Sequence, residues 1–325
     1  MTLRMKRLAA LLTSGWALLA THAAAQEWKP DRTVEIIVPS GPGGGTDRTG
    51  RAVQGLLDKL RLVEKSTVVN KPGASGSLGF LYVSQQSGGH HVGVTTVAVL
   101  TNHITGRSKI NYTDLTPLAQ LFSEYLLYAV RADSPIKSGR DLLERLKRDP
   151  QSVSVGITVL GGTSHMAMGV MLRAAGAEAR NLKTVVFKGG GEVTTALLGG
   201  HVDMVPAPVA NLLPHVRSGK LRAIAISSPK RMPRELAEVP TWREQGSNSE
   251  FDTWRGMIGP KGMTPAQVAF WDQAFTKMVQ DPQWKKDLEA NYWGDNYLPS
   301  AKAQAHLARE YGEFKAILTD IGMVK

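Results

Sequence analysis

The chain has 325 residues and a formal charge of +11, with 39 Lys and Arg against 28 Asp and Glu, and contains no cysteine. Lack of cysteine excludes a disulfide framework, a thiolate metal site, a cysteine nucleophile and a cysteine-linked lipid anchor. The length calls for two domains rather than one core, and the dispersed basic residues, with only short clusters such as Lys230-Arg231 and no interleaved Trp or Tyr, argue against nucleic acid as a partner.

Arg4, Lys6 and Arg7 precede an apolar stretch over residues 8–20, and Ala23-Ala24-Ala25 follows as an A-x-A cleavage site. Export with cleavage after Ala25 is expected; it removes those three bases and no acid, leaving a formal charge of +8. The stretch is short for a membrane span, and no later segment reaches the roughly 18 apolar residues that a spanning helix needs. The expectation is a freely diffusing periplasmic protein.

An apolar run at residues 34–38 reads as a buried strand. Val38-Pro-Ser-Gly-Pro-Gly-Gly-Gly-Thr-Asp47 follows at once, and after Thr46 an amphipathic pattern places Val53, Leu56, Leu57 and Leu60 on one face. Strand, glycine turn and helix in that order suit an anion, because glycine admits close main-chain approach and the first helical N–H groups are unpaired donors. No Lys-Ser/Thr follows as in a P-loop, and Thr46 stands where a dinucleotide fingerprint starting at Gly41 needs its last glycine. A small anion is the better match. Gly43, Gly44 and Gly45 are expected to offer main-chain contacts, Ser40 and Thr46 hydroxyls. Asp47 is expected to cap and brace the turn, since a bare carboxylate repels an anion, unless the ligand carries an ammonium.

Further strands are expected at residues 67–69, 92–97, 126–130, 153–155, 183–187, 202–205 and 221–226, alternating with helical patterns, which argues an α/β fold with mainly parallel sheets. His90-His91 lacks metal-ligand spacing with any other cluster, and a surface loop is its default; no metal and no cofactor are expected. A second glycine-bearing strand-to-helix turn falls at residues 161–165. Thr163 or Ser164 can cap its helix with a hydroxyl left toward a ligand. Ser164 beside His165 invites a serine-hydrolase reading, but the surrounding residues are not a Gly-x-Ser-x-Gly elbow, and no third group or oxyanion site is evident. Two such turns far apart in sequence imply facing lobes that share one cleft. Near the end, Val268, Trp271, Phe275 and Met278 line one helix face and Leu307, Tyr311, Phe314 and Leu318 another.

These residues resemble the tripartite tricarboxylate transporter substrate-receptor family, the Bug receptors. The resemblance is carried by the run ending at Asp47, by Val69-Asn-Lys-Pro-Gly-Ala-Ser-Gly-Ser-Leu-Gly79, Tyr112-Thr-Asp-Leu-Thr-Pro117, Gly162-Thr-Ser-His165, Phe187-Lys-Gly-Gly-Gly-Glu192, Leu197-Leu-Gly-Gly-His-Val-Asp203, Val239-Pro-Thr241 and Trp254-Arg-Gly256. It implies a two-lobed periplasmic-binding-protein fold, type II-like, with lobe 1 over residues 26–127 and 252–325 and lobe 2 over residues 128–251. It also implies a small organic carboxylate held in the cleft by main-chain groups, hydroxyls and bridging waters. Carried over by position, the contacts are Ser40, Gly41, Gly43, Gly44, Gly45, Thr46, Asp47, Thr95, Thr96, Gly162, Thr163, Ser164, His165 and Ala207. Phe187 stands where the family commonly has Tyr, and Asn102-His103 where it often has Asn-Pro, which leaves the roles of Asn102 and Lys188 open.

The resulting reading is a non-enzymatic, monomeric receptor that delivers a carboxylate to membrane permease subunits, with no catalytic residue. Its rivals are a sensor signalling to a membrane kinase and an exported hydrolase using Ser164 and His165.

Overall fold

The computed structural model describes residues 28–324, so the expected export signal lies outside the described residues. The described chain begins with β1 (Val34–Val38), α1 (Gly45–Lys59), β2 (Ser66–Asn70), α2 (Ser77–Ser84), β3 (His91–Thr96) and α3 (Ala98–Ile104). β4 (Leu115–Arg131) then leads to α4 (Gly139–Arg148), β5 (Val155–Ile157), α5 (Thr163–Ala174), β6 (Thr184–Val186), α6 (Gly190–Leu198), β7 (Met204–Pro208), α7 (Val209–Arg217) and β8 (Leu221–Ile226). The chain returns through β9 (Asp252–Pro260), α8 (Pro265–Gln280), α9 (Pro282–Asn291), β10 (Trp293–Gly294), β11 (Leu298–Pro299) and α10 (Ser300–Asp320).

Strand pairing follows the order β2-β1-β3-β9-β4-β7-β5-β6, with β8, β10 and β11 also on β4. One strand serves both lobes: β4 pairs with β9 as far as Tyr125 and with β7 from Leu126 onward. β1 is parallel to β2 and β3, and β5 to β6 and β7. The expectation of mainly parallel sheets needs correction at the centre, where β9 runs antiparallel to both β3 and β4, and β7 and β8 antiparallel to β4. The chain leaves the first lobe along β4 and comes back along β9, so these neighbours point in opposite directions. The molecule is a mixed α/β structure of two lobes joined by these strands.

Apolar residues on both faces of β1 explain why it is covered on both sides. Ile36 and Val38 pack in one cluster with Val53, Leu56 and Leu57 of α1, while Ile37 joins another with Phe80 of α2. Gly50 lets α1 close on β1, since a Cβ there would lie 2.5 Å from Val38 Cγ2. The C-terminal helix α10 packs on both lobes. Tyr311 shares a 2.8 Å hydrogen bond with His103 of α3, and Ile317, Leu318 and Ile321 share a core cluster with Met166, Met168 and Leu172 of α5. Among the described residues no helix is long and apolar enough to cross a membrane.

Candidate functional site

The first turn is held by one buried carboxylate. Asp47 Oδ2 accepts from Gly43 N–H at 2.8 Å and Arg51 Nε at 2.9 Å, and Oδ1 accepts from Asn70 Nδ2 at 2.9 Å. The Arg51 hydrogen bond, with those from Asn70 and Gly43, outweighs burial and lowers the Asp47 pKa to about 2. Gly43 adopts φ +83°, where glycine carries no steric cost. The first intrahelical bond runs from Arg48 N–H to Gly44, so the N–H groups of Gly45, Thr46 and Asp47 precede the ladder.

The second turn repeats the device without an acid. Here the first bond runs from Met166 N–H to the Gly162 carbonyl, leaving the earlier N–H groups of α5 for a ligand. His165 accepts from Gly161 N–H at Nδ1, 3.0 Å away, and burial lowers its pKa. Ser164 donates to the Pro206 carbonyl at 2.7 Å, so its hydroxyl bonds the main chain and not His165.

Two neighbouring chambers lie between the turns. One, of about 200 Å³, is lined by Thr46, Ser75, Thr96, Thr101, Asn102 and Arg107 from the first lobe and by Thr158, Gly162 and Thr163 from the second. The other, of about 250 Å³, is lined by Glu124, Ser164, Gly190, Asn211 and the apolar Ile157, Val193, Val205 and Ala207. Thr158, Thr163, Thr253 and Arg255 border both. A larger groove of about 1130 Å³ lies elsewhere, between Trp28, the end of α1 and α8, and contains neither turn.

Of the expected contacts, Thr46, Thr96, Gly162, Thr163, Ser164 and Ala207 reach these chambers. Ser40, Gly41, Gly43 and Gly44 build the turn without lining either, and Gly45 lies beside the Arg255 guanidinium, with Nη2 3.8 Å from where a Cβ would sit. Asp47 and His165 are turned into protein hydrogen bonds. Thr95 also departs from expectation. Successive strand residues face opposite sides, so Thr96 lines the cleft while the buried Thr95 borders a small interior void of about 10 Å³. Asn102 is buried and donates to the Ser75 carbonyl and Ser77 Oγ at 3.0 and 3.1 Å, bracing a loop in which residues 73–76 all have positive φ. Lys188 is exposed and lines neither chamber. His90 is buried and bonded to Asp31, not a surface-loop residue, and the described residues contain no His/Cys/Asp/Glu group able to hold a metal ion.

Sequence reasoning did not single out Arg255 and Glu124 as site residues. Their side chains are 13% and 11% exposed, with Arg255 Nη2 3.0 Å from Glu124 Oε2. Glu124 pairs with Thr253 across β4 and β9, so Arg255, two residues along, is its diagonal neighbour on the same face. The available signal was that Arg255 stands inside the Trp254-Arg-Gly256 run that carries the family resemblance; nothing comparable marked Glu124.

Two α/β lobes, joined by shared strands and presenting helix N-termini to one intervening cleft, define a periplasmic solute-binding protein. The sequence pattern of the tripartite tricarboxylate transporter family receptor matches residues 51–323, and the chain belongs to that family. It is 29% identical over 320 residues to the UPF0065 protein in gbd 5'region of Cupriavidus necator, covering 97% of this chain and 96% of that one. A TctC solute-binding protein from Polaromonas superposes with a TM-score of 0.75 at 29% identity, covering 89% of this chain and 99% of the other. MatC from Rhodopseudomonas palustris, solved with bound malate, shares the fold with a TM-score of 0.73 at 24% identity, over 89% and 99% of the two chains.

Proposed function

We propose that the protein captures a small organic carboxylate in the cleft, without turning it over, and presents it to the membrane permease subunits of a tripartite tricarboxylate-type transporter. The observation that carries this reading is that Thr46 at the start of α1 and Thr163 at the start of α5 line the same chamber, one from each lobe. Helix N-termini favour anions, and hydroxyls beside them add directional donors. Each hydrogen bond to a charged carboxylate contributes on the order of 1.5–3 kcal/mol. Four or five of them, less the cost of immobilisation, support micromolar or tighter binding. Malate in MatC is the precedent on this fold.

The same reading places the cleaved chain, from Gln26 onward, in the periplasm as a monomer. Lobe 1 comprises residues 26–127 and 252–325 and lobe 2 residues 128–251. A ligand touching both lobes is bound best when they approach, so occupancy shifts the open–closed equilibrium toward the form a permease can recognise.

A thermal-shift panel of mono-, di- and tricarboxylates, aromatic acids and amino acids, run on protein stripped of carried-over ligand, tests the proposal. Mass action predicts a concentration-dependent rise in Tm for one class, lost when its carboxylate is esterified. Stabilisation by no acid, or equally by acid and ester, overturns it.

A further inference from the structure

Arg255 borders both chambers, and its ion-pair partner Glu124 borders the second. Arg255 Nη1 donates to Thr253 Oγ1 and to the Trp254 carbonyl, both at 3.2 Å, and Nη2 donates to Glu124 Oε2 at 3.0 Å. Among the described residues, no hydrogen bond uses Arg255 Nε or Glu124 Oε1. The guanidinium lies beside Gly45 at the start of α1 and Thr163 at the start of α5 borders the same space, so positive potential converges on this end of the cleft. Glu124 faces only the second chamber, whose other polar groups include Ser164, Asn211 and Gly190. An ionised carboxylate accepts hydrogen bonds and cannot donate them. The cleft thus sets a cation where a ligand carboxylate would lie and an acceptor next to it.

On the reading that the cleft holds a carboxylate, we infer that this pair sets specificity: Arg255 takes the ligand's carboxylate while Glu124 accepts from a cationic donor on the same ligand, so the preferred solute is a zwitterionic amino acid rather than a dicarboxylate. A second carboxylate in the second chamber would meet Glu124, and like charges at close range repel. An ammonium there replaces the repulsion with a charge-assisted hydrogen bond. The alternative for a pair this buried is purely structural, a tie between β4 and β9. That role requires no discrimination between ligands, which separates the two by experiment.

Calorimetric titration of the wild type, Glu124→Gln and Arg255→Gln with pentanoate, glutarate, 2-aminopentanoate and 5-aminopentanoate tests the inference, with 3-phenylpropanoate and phenylalanine as a second skeleton. At least one amino acid should bind the wild type 10-fold or more tightly than the bare acid of its skeleton and than glutarate. Glu124→Gln should shrink that ratio to within about 3-fold, a difference of about 0.7 kcal/mol, and Arg255→Gln should weaken every ligand. A wild type that binds the bare acid or glutarate as tightly as the amino acids overturns the inference and leaves the receptor reading standing. So does a Glu124→Gln variant that keeps the wild-type ratio; if that variant fails to fold, the wild-type ratio alone decides. Binding of none of the probes, together with no response in the thermal-shift panel, overturns both.

Discussion

Asp47 shows how a residue can shape a turn beside the cleft by bonding to protein groups. Its buried carboxylate ties Gly43 N–H, Asn70 and Arg51 together, which fixes the direction in which the α1 N-terminus points. Asp47→Asn keeps the size but loses the charge, and some of the three donors must go unmatched. A loss of about 1–3 kcal/mol in denaturant stability is expected, with weaker binding as a secondary effect. The pKa falls from 3.8 to about 2 on folding, so the contribution is complete above pH 4 and disappears as pH drops toward 2. Acid titration should therefore show a larger stability loss between pH 4 and 2 in the wild type than in Asp47→Asn. The sequence made this role readable, because an acid at the start of a helix after a glycine run has few other uses. It could not show that Thr95 faces inward, since that depends on strand register, or that Arg255 and Glu124 meet, since they are 131 residues apart and only the pairing of β4 with β9 brings them together.

At the scale of elements, α10 and β9 carry the strongest expectations. Glu310 on α10 is buried and accepts from Trp254 Nε1 on β9; burial, with Asp252 nearby, raises its pKa from 4.5 to about 8. The folded state then holds a proton that the unfolded chain releases, so this residue lowers stability progressively as pH rises from 4.5 to 8. Glu310→Gln should be near neutral at pH 4.5 and stabilising at pH 8, on the order of a few kcal/mol, in pH-dependent chemical denaturation. A wild-type-like pH slope would refute this. Gly256 on β9 leaves no room for a side chain, because a Cβ would lie 2.5 Å from the Ala119 carbonyl oxygen of β4. Gly256→Ala must separate two paired strands and should cost about 1–3 kcal/mol or more, seen as a lower denaturant midpoint. Elements with a clean period were legible from sequence: β1, α1, β8, α8 and α10 all fall where the apolar pattern places them. β9 and the first half of β4 were not. Arg255, Gly256 and Gly259 interrupt the first, and Pro117, Gln120 and Glu124 the second, so neither shows the alternation or apolar run of a strand. The missed segments are thus the ones that pair to bring the charged pair together.

For the whole molecule, the lobes are linked through β4, which pairs in both, and through α10 packed against α3 and α5. Arg107, between α3 and β4, also donates to the Leu160 carbonyl ahead of the second turn, so a side chain from one lobe already holds the main chain of the other. A receptor of this form responds to its solute as a unit, because a ligand in contact with both turns is best bound when both lobes are in place. Amide hydrogen exchange, with and without saturating amounts of the acid that most raises Tm, measures this most directly. Joint engagement of both turns predicts that protection rises together at residues 44–47 and 162–165, with little change around the groove at Trp28 and α8. Protection at only one turn, or centred on that distant groove, would contradict it.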